Sequence, residues 1–82
     1  MNTDEIIHEL YQLLEKPPED VAAKSRLIPL TNSVQKNEIQ NDRGCKCFID
    51  ELIAIRDFTI DKVIATNLHF MIMTLSSKGI TA

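Results

Sequence analysis

The sequence predicts an all-α chain, a small bundle of four to five helices with an aliphatic core and the C-terminal helix central. Three observations carry this. Over residues 59–80 the bulky apolar side chains Ile60, Val63, Ile64, Leu68, Met71, Ile72 and Leu75 recur at three- and four-residue steps, the spacing of one helix face. Two glycines and three prolines leave little turn chemistry for a β-sandwich or barrel. With no Trp, one Tyr and three Phe, the core has to be built from aliphatic residues, with three Met as filler.

Residues 1–82 read as one helical domain, because a chain of this length makes a single small core. The first helix has the clearest start. Asn2-x-x-Glu5 matches a capping box, and Asp4 and Glu5 suit the positive end of a helix. Ile6, Ile7, Leu10, Tyr11 and Leu14 form its stripe, with Leu13 beside it. Pro17-Pro18 is expected to end it, since a residue before proline is pushed out of the α region. The same prolines, followed by Glu19 and Asp20, suit the first turn of a second helix. There Val21, Ala22, Ser25 and Ile28 make a weaker face. Pro29 either kinks that helix or breaks it. Leu27, Leu30 and Val34 keep a helical spacing through it, whereas Asn32-x-x-Gln35 offers a fresh cap. Helical structure on both sides of a bend is the reading adopted.

Between residues 35 and 44 Ile39 is the only large apolar side chain, and Asn41, Asp42 and Gly44 are turn residues. A third helix is expected over residues 45–56, with Phe48, Ile49, Leu52, Ile53 and Ile55 on its apolar side. A strand would need strict alternation, which Glu51, Phe48 and Leu52 spoil. Asp57 or Thr59 then caps the last helix. Gly79 stands where a left-handed residue closes a Schellman motif, with Ile80 beyond it able to touch Leu75.

Site chemistry is sparse. Cys45-x-Cys47, with His8 and His69, is the one combination of zinc-binding types, but its spacing is not that of a C-x₂₋₄-C knuckle. On a helix the two thiols point about 200° apart. Asp50 and Glu51 are adjacent and diverge, so they do not make an acid–base pair. No triad spacing and no Gly-rich phosphate loop is present. Neither catalytic residues, cofactor nor metal is therefore expected, and the chain reads as a non-enzyme. A net charge of −3 argues against nucleic acid as a partner. The opening MNTDE has neither the basic nor the apolar part of a secretory signal, and no apolar run is long enough to span a membrane. With free thiols this favours the cytoplasm.

The segment IIHELYQLLEKP is similar to the first helix of the enterocin-A-type bacteriocin immunity proteins, small cytoplasmic antiparallel four-helix bundles. The likeness implies the same fold class and carries over no site residue. The expected function is that of a cytoplasmic protein-binding regulator, such as an inhibitor, adaptor or immunity-type factor. It would act through an apolar helical surface containing Leu68, Phe70, Met71, Met73 and Asn67. Apolar surplus in the last two helices points to another protein or to a homodimer as the partner. The alternatives are a self-associating structural module, a phage-encoded accessory or inhibitor protein and, more remotely, a Cys-based metal or redox protein.

Overall fold

The structure, a computed structural model, describes residues 1–15 and 20–80. These form four helices and no strand: α1 (Thr3–Glu15), α2 (Val21–Gln35), α3 (Asp42–Phe58) and α4 (Lys62–Lys78). The expected stop and restart at Pro17-Pro18 lies outside the described residues. Consecutive helices form two hairpins. α1 packs along α2 and α3 along α4, while α2–α3 and α1–α4 touch only slightly. Across the diagonals, α1–α3 and α2–α4, no backbones approach closely. The C-terminal helix thus has one extensive neighbour and one slight one, not the central place the sequence reading gives it. The extents of 33 × 21 × 17 Å suit four aligned helices, since 17 residues of helix span about 25 Å.

Each helix start is satisfied by a side chain. In α1 the capping box forms: Glu5 N–H donates to Asn2 Oδ1 at 2.8 Å, and Asn2 N–H to Glu5 Oε1 at 3.1 Å. Asp20 Oδ1 accepts from Ala23 N–H at the start of α2. Asn41 Oδ1 accepts from Gly44 N–H at 2.6 Å, so α3 begins three residues earlier than expected and Gly44 lies inside its first turn. α4 begins at Lys62 and is capped by Asp61, which accepts from Val63 and Ile64 N–H. The expected caps Asp57 and Thr59 fall short because α3 runs on to Phe58. The Thr59 hydroxyl oxygen accepts from Asp61 N–H instead.

α2 continues through Pro29 without a break. Proline removes one backbone bond, and the Thr31 and Ser33 hydroxyls donate to the carbonyls of Leu27 and Pro29 around it. The helix ends in a Schellman motif built on Asn37, not on a glycine. Asn37 has φ 59°, its N–H donates to the Val34 carbonyl, and Glu38 N–H donates to the Ser33 carbonyl. Ile39 then turns inward and is buried. At the end of α4, Gly79 has φ 67° as expected, but its ψ of −164° leads the chain away from the helix. Its N–H donates to the Leu75 carbonyl, and Ile80 packs at the margin of the core.

The core is Ile6, Leu10 and Leu13 of α1; Ala23, Leu27, Leu30 and Val34 of α2; Ile39; Phe48, Leu52 and Ile55 of α3; and Ile64, Leu68, Met71, Ile72 and Leu75 of α4. Phe48 is its single aromatic. Two apolar faces differ from the sequence reading. On α1 the stripe is turned toward Leu13, leaving Tyr11 at its edge, where its hydroxyl accepts from Gln35 Nε2 at 2.6 Å. On α2 the face Val21, Ala22, Ser25 and Ile28 points to solvent, and the opposite stripe, Ala23 to Val34, is buried. Both faces of α2 have helical periodicity, so spacing alone does not choose between them.

Leu68 is fully buried, and Leu68→Ala is expected to lower unfolding free energy by about 2–5 kcal/mol in urea titrations, with Met73→Ala within about 0.5 kcal/mol of wild type. A Cβ at Gly44 would collide with the Glu38 carbonyl oxygen. Gly44→Ala should therefore destabilise by about 1–3 kcal/mol, although alanine is the better helix former by about 1 kcal/mol.

Candidate functional site

The core uses only one side of α4. Ile64, Leu68, Met71, Ile72 and Leu75 point inward, and each heptad of this helix also carries large side chains on other faces. Phe70 and Met73 are left 64% and 55% exposed. Of the five residues expected at an interface, Leu68 and Met71 are buried in the chain's own core, so the available surface narrows to Phe70, Met73 and the half-buried Asn67. Asn67 does not wait for a partner across a seam. Its Nδ2 donates to the Val63 carbonyl at 2.8 Å, within its own helix.

Because α1 and α4 approach only slightly, a groove of about 320 Å³ runs between them. Met71, Phe70, Thr74 and Asn67 form the α4 wall; Glu5 and Glu9 of α1 form the other, with Met1 ahead of the helix, its ammonium donating to the Gly79 carbonyl at 3.4 Å. α1 carries four carboxylates, Asp4, Glu5, Glu9 and Glu15, and no Lys or Arg. α4 has no charged residue between Lys62 and Lys78 at its two ends. The groove therefore has one exposed aromatic ring, Phe70, between the polar Asn67 and Thr74, facing the carboxylates of Glu5 and Glu9. Spacing revealed the apolar half. The acidic half was visible only as composition, since nothing local shows which helix lies beside α4.

A second surface lies where the α3–α4 link meets the start of α2. The Asp20 carboxylate caps α2 through Oδ1, while Oδ2 accepts from the Thr59 hydroxyl at 2.7 Å and from Ile60 N–H at 3.1 Å. The link held this way leaves Phe58 and Ile60 80% and 79% exposed, with Val21 exposed beside Asp20. Phe58 borders a small cavity of about 70 Å³ over Ala22, Ala23 and Ile55.

The remaining candidates do not converge. Cys45 and Cys47 both lie on α3, half-buried and exposed respectively, and their two-residue spacing points them to different sides. Cys47 borders a cavity of about 300 Å³ with Glu38, Glu51 and Phe48. His8 meets Gln12 at 3.0 Å, and His69 Nδ1 lies 3.3 Å from Arg56. Among the described residues no three His, Cys, Asp or Glu side chains group as a metal site. No described helix is long and apolar enough to cross a membrane. Asp50 and Glu51 are exposed, and Glu51 meets Arg26 of α2 at 3.5 Å.

Compared with protein-family models, curated proteins and solved structures, the chain matches none of them.

The pH dependence of folding should report on the Asp20 junction. Donation from Ala23 N–H, then from the Thr59 hydroxyl and Ile60 N–H, favours the charged carboxylate and lowers its pKa below the ordinary value. The folded chain thus holds this proton less readily than the unfolded chain. The resulting stability is complete above about pH 4, the unfolded range, and is lost as pH falls through the folded value. Thermal melts of Asp20→Asn should show a lower Tm than wild type near neutrality, with the gap closing as the pH falls through the lowered folded-state value.

Proposed function

We propose that this chain is a non-enzymatic protein-binding regulator whose recognition surface is the outward side of α4, centred on Phe70 and Met73. The observation that supports it most directly is the exposure of these two large side chains on a helix whose other side already fills the core. Each, on burial, would contribute roughly 1.5–3 kcal/mol, which is the scale of an interface anchor. An inhibitor, adaptor or immunity-type factor in the cytoplasm needs only such a surface and a stable scaffold behind it.

Self-association is the second reading. The exposed Phe58, Ile60 and Val21 at the Asp20 end of the bundle favour it, because apolar groups gathered at one end suit a two-fold contact.

A photo-crosslinking amino acid at position 70, expressed in the native host, should yield an adduct with a different protein, while the same probe at Asp50 yields none. Equal adducts at both positions, or none at position 70, would overturn the reading. An adduct of this chain with itself would transfer the conclusion to the self-associating module.

A further inference from the structure

We propose that the α1–α4 groove receives a short basic amphipathic helix of the partner, its apolar ridge against the exposed ring of Phe70 and its Lys or Arg side chains against Glu5 and Glu9. This deepens the protein-binding reading above and rests on it. The shape fits first. The α4 wall from Asn67 to Thr74 is about two turns, roughly 10 Å, so it seats two or three turns of a partner helix.

Charge then selects the class. Glu5 and Glu9 are four residues apart on α1, which places them about 6 Å from each other along one side of the groove. Cations at i and i+4 on a partner helix repeat the same interval. Glu9 is half-buried in the wall and has no cation partner among the described residues. Lys62 and Lys78 are five and four residues beyond the α4 wall, so they do not neutralise it. The same charges disfavour a second copy as occupant. Among the described residues, a two-fold contact would bring four of these carboxylates into one seam with only the two Met1 ammonium groups, each already donating to a Gly79 carbonyl, and desolvating unpaired charge is costly.

The probe is a synthetic 14-residue helix with leucine on one face and Lys at i and i+4 flanking it, alongside its Glu-for-Lys counterpart. Fluorescence anisotropy should show binding of the Lys peptide only, weakening as salt rises. Amide shifts should map it to Glu9 and Phe70. Glu9→Gln should weaken it about three- to ten-fold and Phe70→Ser by more, whereas Glu38→Gln should leave it unchanged. Circular dichroism of each variant checks that the helices persist. Equal binding of both peptides, no binding of either, or equal weakening by Glu9→Gln and Glu38→Gln would overturn the proposal. A position-70 cross-link to another protein together with no Lys-peptide binding would overturn the basic-helix proposal and leave the protein-binding reading standing.

Discussion

The two helical hairpins meet mainly through side chains, with little close backbone approach, and the rest of the structure follows from that constraint. Within each hairpin the helices run along each other, whereas α2–α3 and α1–α4 touch slightly. The space between hairpins must then be filled by long aliphatic groups. Leu10, Leu27, Leu52, Ile55, Ile64 and Leu68, all but fully enclosed, do this. Such a core tolerates no loss of volume at its centre, because few backbone atoms are near enough to close a void. At its margins the same spacing leaves grooves, and the α1–α4 groove is one of them.

Polar groups tie the hairpins together at their ends. The Asp20 carboxylate serves as helix cap with one oxygen and as clamp on the Thr59–Ile60 link with the other. At the opposite turn, Asn37 and Gly44 let residues 36–41 fold tightly enough for Ile39 to enter the core. The exposed ion pairs Arg26–Glu51 and Arg56–Asp57 add little, since solvent screens them. Specific turn chemistry, more than surface charge, sets how the four helices are joined.

Exposed apolar side chains follow the same geometry. α2 and α4, the diagonal pair, carry apolar residues on more than one side, and Val21, Ile28, Val63, Phe70 and Met73 remain on their outer surfaces. α1 leaves only Tyr11 exposed among its large apolar groups, and its outer side is acidic. The proposed recognition surface is therefore a product of two helices with different character: one supplies apolar contact and its slight neighbour supplies charge.

Local chemistry written in the sequence determined an all-helical chain of four to five helices, the Asn2–Glu5 capping box, the apolar side of α3 and the positive φ at Gly79. Each depends on residues within a few positions of one another. Tertiary structure decided the remainder. Only packing shows that α2 buries Ala23 to Val34 and exposes Val21 to Ile28, because both stripes have the same period. Only long-range contact puts Asp20 against Thr59, or Glu9 beside Phe70. The burial of Leu68 and Met71 could not be separated from the exposure of Phe70 and Met73 by hydropathy, since all four are large and apolar. Their fates differ because a helix wall has a fixed width, and neighbouring helices cover only the part that they can reach.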